Sequence, residues 1–231
     1  MLILALETSG FGGSIALLDD DQILGERVLD AQRRHAQTLI PEIHALLQNH
    51  HHQPADCELI AVSSGPGSFT GLRVGITCAK VMAYATGAQL VAVPTFSCLA
   101  VGCPDDIDRV QVIMNAQRQE LFVGRFHREN ASTWIETQPL RIERAAIWQE
   151  QLSLTDAVTG PSLEAIAETV AQRCRVLPAK YWQPRARWVG RLGLQYLQAG
   201  LGMSCWQLQP LYVRQSAAEE KWDATHPTVR P

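Results

Sequence analysis

The sequence predicts an α/β fold in two lobes, each a mixed sheet with helices in a βββαβα-type order, the first over residues 1–104 and the second over 105–231. Three observations carry this reading. Three short apolar strands open the chain and give way to helix–strand alternation; the apolar pattern breaks at Cys103-Pro104-Asp105-Asp106; and strands then start again, followed by a second alternation. At 231 residues, 46% of them apolar, the chain is long enough for two modest cores. No sequence repeat accompanies the architectural one, so the duplication is one of pattern only.

Residues 2–8 (LILALET), 14–18 (SIALL) and 23–29 (ILGERVL) read as strands separated by the turn signals Gly10 to Gly13 and Asp19-Asp20-Asp21, which predicts an antiparallel start. From Thr38, a candidate N-cap, Leu39, Ile40, Ile43, Leu46 and Leu47 share one helical face, with Pro41 acceptable in a first turn. An apolar strand follows at residues 59–62, then a glycine loop, a helix to about Thr86 and a strand at 90–93. After the break, strands are predicted at 110–114, 121–126 and 133–137, a helix near 142–151, a strand at 157–159, a helix at 162–173 and a last helix near 189–199. The tail beyond Tyr212 has little periodicity and is expected to be loose or pinned to a partner.

The glycine loop and the helix after it, SSGPGSFTGLRVGITCAK, carry the strongest local signal. Gly71, Gly75, Ala79, Ala83 and Gly87 recur every four residues, so they form one ridge where another backbone can come close. Glycine inside a helix costs roughly 1 kcal/mol relative to alanine, so Gly71 and Gly75 imply close packing that offsets about 2 kcal/mol. Either the chain's own sheet or a partner protein can supply that packing. The expected partner surface comprises Leu39, Ile43 and Leu46 of the first helix with Gly71, Gly75, Ala79, Met82 and Ala83 of the second.

Other features narrow the chemistry. The net charge of −3 gives no overall footprint for nucleic acid. No apolar run approaches the roughly 20 residues of a membrane span, and MLILALETSG lacks the basic start of a signal peptide, so a cytoplasmic protein with no membrane contact is expected. The six cysteines are scattered, without a C-x-x-C pair, and read as reduced structural thiols; the His50-His51-His52 run reads as a solvated loop. Glu7-Thr8-Ser9 at a strand end, and Gly65, Gly67 and Ser68 before a helix, have the make-up of phosphate loops in the actin and sugar-kinase architecture, since hydroxyls and free N–H groups meet phosphate oxygens there. The plainer reading of Gly65 and Gly67 is a tight turn, with Ser68 as a cap. No G-x-S-x-G elbow, H-E-x-x-H pair or Walker A loop occurs. The second lobe offers neutral Asn115-Ala116-Gln117 where phosphoryl transfer would want a carboxylate, so no catalytic and no metal-ligating residue is assigned. One basic stretch, Arg173 to Arg191, is interleaved with Tyr181, Trp182 and Trp188; it reads first as a solvated interdomain loop and second as the best local RNA candidate.

With these residues in place, the chain resembles the TsaB (YeaZ) family across nearly its whole length. The resemblance rests on ILALETS, on His35, Leu39 and Pro41 in HAQTLIP, on GPGSFTGLRVGI with Ala79-Lys80, on Val93-Pro94-Thr95, and on the closing Pro210, Tyr212, Arg214, Ala218 and Glu219. It implies two actin-like, ribonuclease H-like lobes of the ASKHA superfamily and a non-catalytic scaffold or activator. Such a subunit pairs with its catalytic paralogue TsaD through a bundle of first-lobe helices and is joined by the ATPase TsaE. The complex forms N6-threonylcarbamoyladenosine at position 37 of tRNAs reading ANN codons. The resemblance further implies a homodimer when alone, only indirect contact with tRNA, and no cofactor of its own, with ATP or ADP at a subunit boundary as the one nucleotide expected. The family usually has Asp-Ala-Arg where this chain has Asn115-Ala116-Gln117. The rival classes are an ASKHA-type phosphotransferase or metallopeptidase-like enzyme, and an RNA-binding module.

Overall fold

The computed structural model describes residues 1–10, 12–30, 35–130 and 133–214, apart from the side chain of His35. Strands β1 (Leu2–Glu7), β2 (Ser14–Asp19) and β3 (Gln22–Val28) form an antiparallel meander. Helix α1 (His35–Asn49) leads to β4 (Leu59–Gly65), and α2 (Phe69–Thr86) leads to β5 (Gln89–Pro94); these strands add in parallel on the far side of β1 to give the order β3-β2-β1-β4-β5. A short helix, α3 (Thr95–Val101), crosses to the second sheet. There β6 (Arg109–Gln117), β7 (Glu120–Arg128) and β8 (Trp134–Arg144) form the meander, and β9 (Ala157–Thr159) and β10 (Arg175–Val176) the parallel arm, with α4 (Ala145–Glu150) and α5 (Leu163–Ala171) between them. The order β10-β9-β6-β7-β8 has the same connectivity as the first sheet. Two copies of one mixed five-stranded plan make the actin-like α/β fold that the pattern predicts.

Period-2 alternation in the central strands explains how helices cover both faces of the first sheet. Leu2, Leu4, Leu6, Ile60 and Val62 pack under α1 and α2. Ile3, Ala5, Leu59, Ala61 and Val91 face the other way, onto α6 (Ala186–Gln198). Residues 186–198 lie inside the range that the sequence reading gives to the second lobe, yet α6 covers the first sheet. Its close approach depends on Gly190 and Gly193, since a Cβ at Gly193 would lie 2.5 Å from the Ala61 Cβ. The α3 helix joins the two cores: Cys98 belongs to the first, and Phe96 and Leu99 to the second.

Several local expectations change. The α1 helix starts at His35, so Thr38 lies inside it and is not its N-cap, and Pro41 falls in the second turn. An interior proline costs roughly 3 kcal/mol; burial of Leu39, Ile43, Leu46 and Leu47, each contributing about 1.5–3 kcal/mol, offsets it. The third strand of the second meander runs on to Arg144 because Ile142 pairs with Phe122, which shortens the expected helix at 142–151 to α4. Neither α3 nor the two-residue β10 is anticipated from periodicity.

Candidate functional site

The predicted phosphate loops converge at the carboxyl end of β1, and they are packed against one another. Glu7, Thr8 and Ser9 are all buried. The Glu7 carboxylate accepts hydrogen bonds from Ser9 N at 2.8 Å, from Gly10 N at 3.4 Å and from the Ser9 hydroxyl, while Thr8 N donates to Ser63 Oγ at 3.2 Å. From the other side, Ser68 N donates to Ser9 O at 2.8 Å, and Ser68 Oγ caps α2 by accepting from Gly71 N at 3.2 Å. A Cβ at Gly67 would lie 2.5 Å from Ser9 O, one at Gly71 would overlap Thr8 O, and one at Gly75 would overlap Thr8 Oγ1. The amides of Ser9, Gly10 and Ser68 and the hydroxyls of Ser9 and Ser68 are thus engaged in a clasp between β1 and α2, while Thr8 Oγ1 is buried without a hydrogen-bond partner. Glu7, Thr8, Ser9, Gly67 and Ser68 of the expected phosphate site are brought together in one turn, and Gly65 lies at the end of β4 beside it.

The remaining side of the clasp is covered by the chain's own carboxyl-terminal segment. Gly65 has φ +116, a conformation L side chains rarely adopt, and a Cβ there would lie 2.9 Å from Leu211 O. Met203 N donates to Leu90 O at 2.9 Å and Leu211 N to Ser64 O at 2.7 Å. Tyr212 stacks on Phe69 at 4.7 Å between centroids and accepts from Arg73 Nε at 2.8 Å. Arg214 then reaches the second lobe, donating to Ala116 O and, at 2.8 Å, to Glu120 Oε2. The tail is therefore pinned to its own chain as far as Arg214; Ala218 and Glu219 lie outside the described residues. The Asn115-Ala116-Gln117 turn that Arg214 grips is held from within by Asn115 Oδ1, which accepts from Gln117 N at 2.7 Å.

Burial pushes the Glu7 carboxyl above its ordinary value of 4.5, against the opposing pull of hydrogen bonds from Ser9, Ser63 and Gly10. An acid whose folded-state value is raised gives stability that is full below its unfolded value and lost as pH climbs through the folded one. Glu7→Gln removes that loss. In thermal melts the variant should gain on the parent protein steadily as pH is raised from about 4 toward neutrality, and parallel Tm curves would show that burial does not raise the Glu7 carboxyl in the folded state. The thiols tell a plain story. Burial raises Cys57, Cys78 and Cys174 to about 11 and Cys103 to about 12, which keeps them as unreactive core groups. Among the described residues no group of three His, Cys, Asp or Glu side chains could hold a metal ion.

The expected partner surface also needs correction. Leu39, Ile43 and Leu46 are core residues under α1, and Gly71, Gly75, Ala79 and Ala83 are buried against the first sheet, with only Met82 half-exposed. At Gly71 and Gly75 the small-residue ridge is filled from within the molecule by Thr8, while Gly87 at its far end is exposed. The side of α2 that faces outward is the opposite one, running Arg73, Thr77, Val81, Tyr84. Val81 is 61% and Tyr84 74% exposed, and Trp206, at 79%, stands edge-on to Tyr84 with centroids 6.2 Å apart. On α1, Ile40 is 56% exposed. The same 3.6-residue period that marks the glycine ridge marks this stripe, and Val81 and Tyr84 are its signal, since large apolar side chains rarely face water in a cluster without a partner.

Comparison with known proteins bears on these features. A family model described as "TsaD: tRNA N6-adenosine threonylcarbamoyltransferase" matches residues 29–222. The chain is 28% identical over 229 residues to the tRNA threonylcarbamoyladenosine biosynthesis protein TsaB of Bacillus subtilis (strain 168), covering 96% of this chain and 98% of that one. To the TsaB of Escherichia coli (strain K12) it is 25% identical over 227 residues, with the same shares. The solved structure of YeaZ from Pseudomonas aeruginosa superposes with a TM-score of 0.77 at 25% identity, over 92% of this chain and 99% of that one.

Proposed function

The chain belongs to the TsaD-type tRNA N6-adenosine threonylcarbamoyltransferase family, within its TsaB (YeaZ) group, and from that premise we propose that it is the scaffold and activator subunit of the tRNA-modifying complex. In this reading it pairs with the catalytic subunit TsaD, is joined by TsaE, and carries out no bond chemistry itself. The complex so formed makes N6-threonylcarbamoyladenosine at position 37 of tRNAs reading ANN codons. The observation that carries the proposal is the pairing of a closed clasp with an outward apolar stripe on the same helix: α2 seals Glu7-Thr8-Ser9 with its glycine side and offers Val81 and Tyr84 with the other. Because the stripe is self-complementary in kind, the chain homodimerises through it when TsaD is absent. The chain holds no cofactor of its own in this reading, and an ATP or ADP sits at the subunit boundary.

A phosphotransferase or metallopeptidase-like enzyme is the weaker reading because, among the described residues, no group of three His, Cys, Asp or Glu side chains could hold a metal ion. Nucleoside mass spectrometry of tRNA from depleted cells tests the proposal. Threonylcarbamoyladenosine should disappear and return on re-expression, while the purified chain should hydrolyse neither ATP nor peptide with or without Mg²⁺ or Zn²⁺. Unchanged nucleoside content, or metal-dependent turnover by the chain alone, would overturn it.

A further inference from the structure

The basic stretch at residues 173–191 divides in two in the folded chain. Arg173 donates to Gln149 O at 3.0 Å, Arg175 pairs with Asp106 at 2.7 Å, and Trp182 Nε1 donates to Leu177 O at 2.6 Å, so these three side chains are committed to the second lobe. The others gather elsewhere. Lys180, Tyr181, Arg185, Arg187 and Trp188 meet α3 around an open cleft of about 280 Å³.

The charges in that cleft are unbalanced. Arg187 is neutralised by the nearly buried Glu26, which accepts from its Nε at 2.6 Å and also from Nη2. Gln183 is held by Glu164 at 2.6 Å. Among the described residues, by contrast, no carboxylate lies within 4 Å of Lys180 or Arg185; the lysine ammonium rests 4.9 Å from the Tyr181 ring centroid, and the Arg185 guanidinium makes no hydrogen bond. The start of α6 does not supply the attraction for an anion, because Ala186 N is taken by Ser14 Oγ at 2.9 Å and Arg187 N by Glu26 Oε1 at 3.1 Å. The cleft thus presents two side-chain cations beside two aromatic rings, with Trp188 already steadied on one face by Arg191 at 5.2 Å.

We propose that this cleft seats one nucleotide of an RNA strand, its phosphate between Lys180 and Arg185 and its base against Tyr181 or Trp188. Cations satisfy phosphate without reading sequence, and an aromatic face accepts any base, so the pair of features suits a backbone-tracking contact. The size agrees: at about 280 Å³ the cleft falls just below the roughly 300–1,000 Å³ range of ligand pockets and suits one nucleotide rather than a larger ligand. In a chain of net charge −3 the contact is local. It does not depend on the docking role proposed above, because it is read on the chain without TsaD.

Fluorescence anisotropy with a fluorescein-labelled RNA stem-loop tests it. Lys180→Glu with Arg185→Glu should weaken binding by about tenfold or more and flatten the log–log salt slope by about 0.7, the loss of one neutralised phosphate on a single strand. The neutral pair Lys180→Gln with Arg185→Gln should fall between, guarding against a folding defect, and Tyr181→Ala should weaken binding with the slope unchanged. Arg109→Glu with Arg144→Glu, exposed cations outside the cleft, should have little effect. Equal loss in the two double charge reversals, no measurable RNA affinity at low salt, or displacement of the RNA by AMP at matched nucleotide concentration would overturn the proposal.

Discussion

Leucine at position 75 leaves no cooperative fold. The α2 backbone lies so close to β1 that a Cβ at Gly75 would overlap Thr8 Oγ1 and lie 3.1 Å from both Thr8 Cβ and Cγ2. Thr8 cannot step aside: it is fully buried, its N–H is held by Ser63 Oγ, and its neighbours are fixed by the Glu7 carboxylate. Gly71, one turn earlier, meets Thr8 O in the same way, so two turns of the helix rest on one residue. Even alanine at 75, whose helix propensity should gain about 1 kcal/mol, loses about 3 kcal/mol or more to overpacking. Leucine exceeds that, against a total stability of roughly 5–15 kcal/mol for a domain. Circular dichroism melts and soluble yield check this directly. A Gly75→Ala protein melting within a degree of the parent would mean that α2 does not press on β1 as described.

Aspartate at Val81 and Tyr84 should do the opposite, sparing the fold and destroying the proposed partnership with TsaD. Both side chains point into solvent at 61% and 74% exposure, so the double variant should stay within about 1 kcal/mol of the parent's stability. At an interface, apolar anchors of this kind carry most of the affinity, and burying two carboxylates in their place costs far more than the contacts removed. Binding to TsaD should weaken at least hundredfold, about 2.7 kcal/mol, and co-purification should be lost. Trp206→Ala, at the edge of the same patch, should give a smaller loss. Retained co-purification with intact folding would move the docking face elsewhere.

The contrast between these two variants marks what the sequence could and could not convey. The apolar run LILAL and the return of strands after Cys103 were legible because a strand covered on both faces reads as a short continuous apolar stretch, and the helical faces were legible from the period of 3.6. The glycine ridge was equally visible, but close approach to a strand and close approach to a partner helix both demand small side chains. Only the position of Thr8 tells them apart. Leu39, Ile43 and Leu46 were misassigned for the same reason, since periodicity says that a face is buried and not what buries it. Long-range contacts left no local trace: α6 lies against a sheet built from the first 94 residues, and Tyr212 meets Arg73 across 139 positions. The α3 helix was hidden because its seven residues, TFSCLAV, are too short a run to establish a period of 3.6.

A reconstituted transfer reaction puts the central claim to its most direct test: tRNA threonylcarbamoylation by TsaD and TsaE, with this chain added as the parent or as the Val81→Asp, Tyr84→Asp variant. The account predicts product that rises with the parent chain, stays at the level of TsaD and TsaE alone with the variant, and is absent when the chain is incubated without TsaD. Product from the chain by itself, or full stimulation by the folded variant, would contradict it.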